Sequence, residues 1–357
     1  MKDGFGRTID YLRVSITDRC NFRCVYCMPE EGYPVSPKDE ILTFIEIARL
    51  VHIAAELGMV KIRLTGGEPL VRKDLPDLIA QISKHPALTD LSCTTNGFLL
   101  PEMADRLAGA GLQRVNVSLD TLDEEKFVRI ARRGSLGKVL EGIDAAHKAG
   151  LSPLKINCVL MKGVNDGEVA DFARWTLREE VHVRFIEVMP IRWNLDETDS
   201  YDPMNALNGG SDLIRLRPPG ESGMLSDVDM RKVVVPYLKA KDSIEAELGP
   251  LRPTKLPTNG PAHTYRLEGA PGTVGFISQI SSDLCSRCNR LRLTADGQLR
   301  PCLMSDGEVD LRGPLRSGAS DDDIAAIFLH VVEHKPERHY LAEGQKVLSR
   351  GMSQIGG

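Results

Sequence analysis

A regular alternation of short β-rich segments with amphipathic helical segments runs from Tyr11 to about Met189 and constrains the fold more than any other feature of the chain. Repeated units of this kind are typical of a parallel sheet whose strands are connected through helices. Six strands are predicted: YLRVSIT from Tyr11, VKIRLT from Val60, LTDLSCTT from Leu88, LQRVNVSL from Leu112, LKINCVL from Leu154 and VHVRFIEV from Val181. Six successive units predict an incomplete TIM-like α/β barrel, and a doubly wound open sheet is the alternative. Either fold places its chemistry at the carboxyl ends of the strands.

The boundaries of the first helix can be predicted from single residues. Thr43 and Glu46 have the spacing of a capping box at the start of TFIEIARLVHIAAELG, and Gly58 is placed to end the helix. Cys93 and Cys158 each stand alone in a predicted strand, which indicates buried core thiols.

The chain changes character after the last of these strands. Residues 194–223 are polar and rich in Gly and Pro, which predicts an exposed insertion. From Leu251 onward, short β-like runs such as HTYRLE and TVGFIS are separated by Gly and Pro. We therefore predict a partial barrel over residues 1–250, with an insertion at about 194–223, and a smaller C-terminal domain over residues 251–357.

Charge and composition narrow the classes of function. The 357 residues carry a formal net charge of -5, which gives no general attraction to nucleic acid, although basic residues gathered in one pocket could hold a phosphate. The first residues, MKDGFGRTIDYLRVSI, contain no signal-peptide or membrane-spanning run, which predicts a cytoplasmic protein without membrane contact. The eight cysteines then favour metal binding or catalysis over disulfides.

Cys20, Cys24 and Cys27 have the spacing C-x3-C-x2-C just after the first predicted strand. Three thiolates this close in a loop can bind one side of an iron–sulfur cubane, and the fourth iron is then open to a ligand with an amine and a carboxylate. A structural zinc site normally takes four ligands. A zinc knuckle, or an electron-transfer cluster completed by a remote fourth residue, is the alternative that the spacing leaves open.

The segment TGGEP, Thr65 to Pro69, follows the second predicted strand. Its two glycines allow the backbone to approach a ligand closely, and the carboxylate of Glu68 can accept a hydrogen bond from an ammonium group. The segment stands at a strand end one strand–helix unit after the three cysteines, where the chemistry of such a fold is expected.

Cys285, Cys288 and Cys302 give a second pattern, C-x2-C-x13-C. One interpretation is a zinc ribbon with His263 or another cysteine as fourth ligand, and the other is a second cubane whose open iron is available to a substrate. The presence of three thiols favours the cubane. Arg290 and Arg292 would share one face if LRLT is a strand, so that both guanidinium groups could reach the same anion.

The quoted motifs together resemble a known family. DYLRVSITDRCNFRCVYCMPE, with Tyr26 before the third cysteine, and TGGEP resemble the radical S-adenosylmethionine (SAM) superfamily. CSRCNRLRLTADG, KIRLTGGEPLVRKDL, NVSLDTL, KPERHY and the terminal Gly356-Gly357 extend the resemblance to the GTP 3′,8-cyclases, the molybdenum cofactor biosynthesis protein A family. The matches run from end to end of the chain. After Met189 the chain differs from the usual family loop, because it reads PIRWNLDETDS and continues into the insertion.

The resemblance implies roles for individual residues. The first three cysteines would bind a 4Fe-4S cluster that cleaves SAM, and the second three would bind an auxiliary 4Fe-4S cluster that holds the guanine. The residues implied to contact SAM are Tyr26, Gly67, Glu68, Ser118 and Met189. The residues implied to contact GTP are Arg13, Lys61, Arg63, Thr94, Lys155, Arg290, Leu291 and Arg292. The residues implied to support catalysis are Arg13, Arg290, Arg292, Gly356 and Gly357, the two glycines from a tail that enters the site.

The implied reaction is the cyclisation of GTP to (8S)-3′,8-cyclo-7,8-dihydroguanosine 5′-triphosphate. An adenosyl radical would abstract the ribose 3′ hydrogen, and the C3′ radical would attack guanine C8. The resemblance also implies an external electron donor such as flavodoxin or ferredoxin and a downstream cyclic pyranopterin monophosphate synthase, and it allows a homodimer. The alternatives are another radical SAM enzyme with an auxiliary cluster that acts on peptide or RNA, and a zinc or iron–sulfur protein without catalysis.

Overall fold

The computed structural model describes residues 1–189, 234–256, 260–279, 281–282, 284–339 and 350–356. The predicted insertion at about 194–223 and the last residue, Gly357, lie outside these ranges. All six predicted strands are confirmed as β1 to β6. The strands are β1 Tyr11–Ser15, β2 Lys61–Thr65, β3 Asp90–Thr95, β4 Arg114–Ser118, β5 Leu154–Leu160, β6 Val181–Glu187, β7 Arg252–Pro253, β8 His263–Arg266, β9 Thr273–Ile277, β10 Arg290–Leu293, β11 Gln298–Arg300 and β12 Val309–Asp310.

Helices connect the first six strands and cover the C-terminal portion. They are α1 Phe44–Glu56, α2 Leu75–Ile82, α3 Leu100–Gly109, α4 Glu124–Ala131, α5 Leu136–Lys148, α6 Val169–Arg178, α7 Tyr237–Leu248, α8 Arg312–Arg316 and α9 Asp321–Glu333. The capping box of α1 is confirmed, because the Thr43 hydroxyl accepts from the Glu46 amide and the Glu46 carboxylate accepts from the Thr43 amide. Among the helices of the described residues, none combines the length and the apolar character that crossing a membrane requires.

The strands form one sheet in the order β12-β11-β10-β1-β2-β3-β4-β5-β6-β9-β8-β7. β10 pairs in parallel with β1, and β9 pairs in parallel with β6. The outer strands are added in antiparallel pairs on both sides. Strands that follow Leu251 in the chain therefore extend the sheet of the first six units at both of its edges, and the boundary of a separate domain at Leu251 stays a prediction.

The two faces of the first strands differ in chemistry. In β1 the buried Leu12 and Val14 belong to the hydrophobic core with the helices, whereas Arg13 lies on the opposite face. In β5, Ile156 and Lys155 show the same alternation. Further polar residues of the inner face are Arg63, Ser92, Asn116, Asn157 and Arg184.

The inner face, the face of the sheet opposite the helices, curves around a cavity. Residues at both ends of the parallel array, Arg290 and Arg292 of β10 and Ile277 of β9, line this same cavity. A doubly wound sheet would carry helices on both faces, whereas here one face packs on helices and the other encloses a polar space. The predicted partial barrel is therefore confirmed. Cys93 and Cys158 are buried core thiols, as predicted.

Candidate active site

A cavity of about 220 Å³ opens at the carboxyl ends of the six central strands. Parallel strands bring their carboxyl ends to one edge, so residues far apart in sequence meet there. The structure brings most of the predicted site residues together as its lining. These residues are Arg13, Cys20, Cys24, Tyr26, Cys27, Arg63, Gly67, Glu68, Thr94, Ser118, Met189, Arg290 and Arg292.

The first cysteine triad, Cys20, Cys24 and Cys27, lies in the loop after β1. None of the eight cysteines, all of which the structure describes, forms a disulfide. The amide of Phe22 donates to Cys20 Sγ over 3.4 Å, a contact that stabilises a thiolate. Burial raises the pKa of Cys20 to about 11 and that of Cys27 to about 12. Three half-buried thiols with an amide donor fit an iron–sulfur cluster, whose positive irons would hold them as thiolates.

TGGEP is hydrogen-bonded to the backbone of this loop. The amide of Gly67 donates to Thr17 O over 2.8 Å, and the amide of Glu68 donates to Arg19 O over 2.8 Å. A Cβ at Gly66 would lie 2.3 Å from Thr17 O, so a larger residue would push the loop away. The glycines therefore have a structural role that the sequence did not predict. They let TGGEP approach the backbone of the loop that carries the first triad.

The carboxylate of Glu68 is buried and held on both oxygens. Oε1 accepts from Thr95 Oγ1 over 2.8 Å and from the Leu70 amide over 3.0 Å, and Oε2 accepts from the Asn96 amide over 2.6 Å. Burial raises the pKa of Glu68 to about 7 although these hydrogen bonds oppose the shift. Glu68 is thus a fixed acceptor in the cavity wall, which suits the predicted contact with an ammonium group.

A second buried acid, Asp120, faces the triad, and the sequence did not single it out. Its Oδ2 accepts from Tyr26 Oη over 2.8 Å, and its Oδ1 accepts from the Val159 amide over 2.8 Å. Burial raises the pKa of Asp120 to about 6. Asp120 stands two residues after Ser118, so the alternation that places Ser118 in the cavity also points to Asp120.

The opposite part of the cavity is basic. Its five guanidinium groups are those of Arg13, Arg63, Arg184, Arg290 and Arg292. Burial lowers the pKa of Arg292 to about 10, and the nearby Arg290 adds to the shift. Burial and the charge of Arg63 lower the pKa of Arg184. Within the described residues, Arg184 Nε, Arg290 Nε and Tyr11 Oη are buried without a hydrogen-bond partner. Buried hydrogen-bond donors on or beside positively charged groups favour an anionic ligand.

Lys155 lines a second, smaller cavity of about 180 Å³ together with Arg184, Thr254, Lys255 and Thr264. Arg184 lines both cavities, so the two spaces adjoin. Burial, with the charges of Arg184 and other arginines, lowers the pKa of Lys155 to about 6. A polyanion bound between Lys155 and these arginines would offset their repulsion and raise the pKa of Lys155 again.

Two predicted GTP contacts do not line either cavity. Lys61 lies at the start of β2, where its Nζ pairs with Asp10 over 2.6 Å. Leu291 lies in β10 with its side chain in the hydrophobic core, on the face away from Arg290 and Arg292. The structure therefore does not bring these two side chains to the basic wall.

The second triad, Cys285, Cys288 and Cys302, surrounds the β10–β11 hairpin. Cys285 begins a 3₁₀ turn before β10, and Cys302 follows β11, where the Met304 amide donates to Cys302 Sγ over 3.4 Å. Burial alone would raise the pKa of Cys288, but the charges of Lys335 and Arg290 lower it below its ordinary value. This triad also fits an iron–sulfur cluster, since it has the same number of thiols and the same amide-to-sulfur contact. His263, the alternative zinc ligand, stacks on Tyr237 instead.

The C-terminal tail, residues 350–356, enters the cavity between the two triads. Gly356 O accepts from the guanidinium groups of Arg13 over 3.0 Å and of Arg292 over 2.8 Å. Ile355 packs with Cys302 and Met189. Gly356 has a φ of +72°, and a Cβ there would lie 2.7 Å from Thr65 Cγ2, so glycine is required.

Sequence reasoning missed several other lining residues. Arg184, Asn157 and Glu187 face the cavity from β5 and β6. The available signal for Asn157 and Arg184 was the alternation within LKINCVL and VHVRFIE, which places them on one face with Lys155 and His182; Glu187, at the end of β6, does not follow it. The same rule would have separated Arg290 and Arg292 from Leu291.

A parallel partial barrel with C-x3-C-x2-C after its first strand and GGEP after its second defines a radical SAM protein. The model of the Radical SAM superfamily matches residues 14–176, and the model named Molybdenum Cofactor Synthesis C matches residues 220–341. The GTP 3′,8-cyclases of Moorella thermoacetica and Heliobacterium modesticaldum are 46% and 50% identical to this chain over 100% of both partners. The chain therefore belongs to the GTP 3′,8-cyclase family, and the predicted resemblance is confirmed.

A solved structure supports the fold independently. The crystal structure of Streptococcus suis SuiB bound to S-adenosylmethionine superimposes with a TM-score of 0.54 at 12% sequence identity. The match covers 85% of this chain and 63% of that chain. At this level of identity the likeness concerns the fold alone.

Proposed function

We propose that this chain catalyses the radical SAM cyclisation of GTP to (8S)-3′,8-cyclo-7,8-dihydroguanosine 5′-triphosphate, the first step of molybdenum cofactor biosynthesis. The observation that carries the proposal is the cavity in which the first triad and Glu68 face five guanidinium groups, three of them from buried arginines. Family membership over the full chain supports the same reaction.

The acidic side of the cavity suits SAM. Glu68 is a fixed acceptor for the ammonium group, and the Tyr26–Asp120 pair fixes the aromatic ring beside Cys27. Ser118 and Met189 line the same side and are proposed to contact SAM. When bound, the 4Fe-4S cluster and SAM supply an adenosyl radical by reductive cleavage of SAM. The surrounding side chains orient SAM and keep water out of the site.

The basic side suits a nucleoside triphosphate. Arg13, Arg63 and Arg184 offer buried donors, and Lys155 extends them into the adjoining smaller cavity. The positive charges of this wall repel one another, so the negative charges of a triphosphate would be bound strongly here. Thr94 lines the same cavity and is proposed to contact GTP. A peptide substrate offers no such concentration of negative charge, which favours GTP over a peptide.

The guanine end is proposed to lie toward the second triad. Arg290 and Arg292 stand between this triad and the cavity, and both reach inward from β10. Anchoring both ends of the nucleotide would hold the ribose between the phosphate donors and the auxiliary cluster, close to the SAM side. The tail, through Gly356, would close the cavity over the nucleotide and exclude other hydrogen donors, whereas the role predicted for Gly357 lies outside the described residues.

The partners belong to the same proposal. An external one-electron donor such as flavodoxin or ferredoxin would supply the first cluster, and the product would pass to a cyclic pyranopterin monophosphate synthase. A homodimer is compatible with this scheme. A cytoplasmic location would give the enzyme access to GTP and keep its thiols reduced.

The test is an anaerobic incubation of the reconstituted full chain with SAM, a reductant and GTP. We expect 5′-deoxyadenosine and one cyclised nucleotide to form together, and no cyclised nucleotide to form when ATP replaces GTP. We also expect about eight irons per chain, as two cubanes require. Absence of a cyclised nucleotide would reject the proposal, and bound zinc in place of iron would reject the cluster assignment.

A further inference from the structure

The segment before β1 takes no part in the proposed reaction, yet it folds into a fixed turn. Lys2 and Thr8 form an antiparallel bridge, and the Asp3 amide donates to Arg7 O over 3.0 Å. The Asp3 carboxylate accepts from the amides of Phe5 over 3.0 Å and of Arg7 over 2.8 Å. Because the Asp3 side chain is fully buried and bonded inside this N-terminal turn, residues 3–7, the turn has one defined shape.

The guanidinium group of Arg7 leaves this turn and joins three segments. Its Nε pairs with Asp3 Oδ2 over 2.6 Å, and Nη1 donates to Cys285 O over 2.9 Å and to Glu337 O over 2.6 Å. Nη2 donates to Pro336 O over 2.7 Å. The side chain is 7% exposed. Arginine alone offers this planar set of donors, so lysine could keep the charge but lose most of the contacts.

The other end of the same loop is also held by the N-terminal segment. The amides of Asp10 and Tyr11 both donate to Asn289 O over 3.2 Å, and Asn289 Nδ2 donates to Asp10 Oδ1 over 2.6 Å. The stretch from Cys285 to Asn289, which carries two of the three thiols, is thus tethered at both ends to residues 3–11.

A buried cation holds the third position of the triad. Lys335 is 2% exposed, and its Nζ donates to Pro301 O, the carbonyl directly before Cys302. Pro336 and Glu337, which follow Lys335, are the residues whose carbonyls accept from Arg7. Arg7 therefore connects the loop of Cys285 to the segment that supports Cys302.

We propose that Arg7, fixed by Asp3, is a positioning residue of the second triad: it sets the spacing between the Cys285 loop and the Cys302 segment that an auxiliary cluster requires. This inference rests on the proposed function, which places a cluster there. The alternative is a general contribution of the N-terminal turn to folding, without a specific effect on this triad.

The experiment separates the two triads within the full chain. A variant with Cys20→Ala, Cys24→Ala and Cys27→Ala retains only the second triad, and a variant with Cys285→Ala, Cys288→Ala and Cys302→Ala retains only the first. Arg7→Lys is added to each, and the rate of iron loss to a chelator is followed together with the thermal midpoint. In the variant that retains only the second triad, we expect Arg7→Lys to speed iron loss about 10- to 100-fold, the usual effect of losing an outer-shell partner. In the variant that retains only the first triad, we expect the rate of iron loss to change by less than about twofold.

Two matched variants sharpen the result. Asp3→Asn keeps Arg7 but removes its charged partner, and should give a smaller increase in the variant that retains only the second triad. Arg174→Ala removes an exposed arginine that pairs with Asp171 and Glu247 far from either triad in sequence, and should change neither rate. Equal acceleration of iron loss in both variants, or no acceleration in the variant that retains only the second triad, would overturn the inference. If that variant binds no iron even with Arg7 intact, the auxiliary cluster of the proposed function is rejected, and the inference with it.

Discussion

The two cysteine triads have the same number of thiols but opposite electrostatic surroundings. Around the first triad, burial raises the pKa of Cys20, and the carboxylate of Glu68 raises it further. Burial and Asp120 do the same for Cys24. Around the second triad, Lys335 and Arg290 lower the pKa of Cys288 in spite of its burial.

This difference corresponds to the two ligands proposed for the cavity. SAM carries a sulfonium and an ammonium group, which acidic neighbours attract, whereas the guanine end of GTP carries the acceptors O6 and N7, to which arginines donate. A cluster near carboxylates is harder to reduce than a cluster near cations, because reduction adds negative charge. The two triads are therefore specialised for different tasks by the residues around them rather than by the thiols themselves.

The largest expected effect comes from removing one thiol from each triad. Cys27→Ala should abolish both SAM cleavage and cyclisation, because the first cluster supplies the radical. Cys302→Ala should abolish cyclisation but preserve SAM cleavage uncoupled from GTP. Anaerobic assays that quantify 5′-deoxyadenosine and cyclised nucleotide side by side measure both. If Cys302→Ala still cyclises GTP, the division of tasks between the triads is wrong.

The next effect concerns the basic wall. Arg290→Ala should raise the KM for GTP about 10- to 100-fold, the cost of one charge-assisted hydrogen bond, while SAM cleavage without GTP changes little. Arg287→Ala is the matched control, since Arg287 is exposed in the adjacent 3₁₀ turn and does not line the cavity. Steady-state kinetics with each variant decide the point. An equal loss of both activities in Arg290→Ala would argue against a phosphate or guanine contact.

Lys155 provides a test through pH. Its pKa is lowered from 10.5 to about 6 in the folded chain, so between these values the unfolded chain binds a proton that the folded chain lacks. This group therefore makes stability increase with pH across that window, and Lys155→Met should remove the slope and raise the thermal midpoint near pH 7.

GTP should restore the proton to Lys155. At pH 8 we expect binding to take up as much as about one proton per GTP, because a nearby triphosphate raises the pKa of the ammonium group. Calorimetry in two buffers of different ionisation enthalpy measures this uptake. Lys155→Met should lose it and bind GTP more weakly, and an unchanged uptake would exclude Lys155 from the phosphate site.

The smallest effect concerns reduction potentials. Asp120→Asn should raise the potential of the first cluster, and Lys335→Met should lower that of the second, each on the order of 50 mV, or about 1 kcal/mol for one electron. Redox titrations followed by electron paramagnetic resonance resolve the two signals. If either variant shifts the reduction potentials of both clusters, the residues around one triad also act on the other, and the electrostatic division between the triads is wrong.

Much of this arrangement could be predicted from local sequence. The six strands, the capping box at Thr43 and the two cysteine spacings depend on neighbours within a few residues, where periodicity and turn chemistry are informative. The alternation of polar and apolar residues also placed Arg290 and Arg292 on one face, and the same rule would have identified Arg184 and Asp120.

Contacts between distant segments could not be predicted in this way. The pairing of β10 with β1 and of β9 with β6 joins the ends of the chain to one sheet, and no local pattern encodes which edges meet. The pairing of Lys61 with Asp10 and the contact of Arg7 with Cys285 also depend on the folded arrangement. These long-range contacts decide which basic residues face the ligand and which hold the structure.

The most direct test of the account follows one hydrogen atom through the cavity. The reconstituted chain is incubated anaerobically with SAM, a reductant and GTP that carries deuterium at the ribose 3′ position, and 5′-deoxyadenosine is analysed by mass spectrometry. If the first triad and the arginine wall hold SAM and GTP side by side, deuterium appears in 5′-deoxyadenosine together with the cyclised nucleotide. Unlabelled 5′-deoxyadenosine formed alongside unreacted GTP would contradict the account.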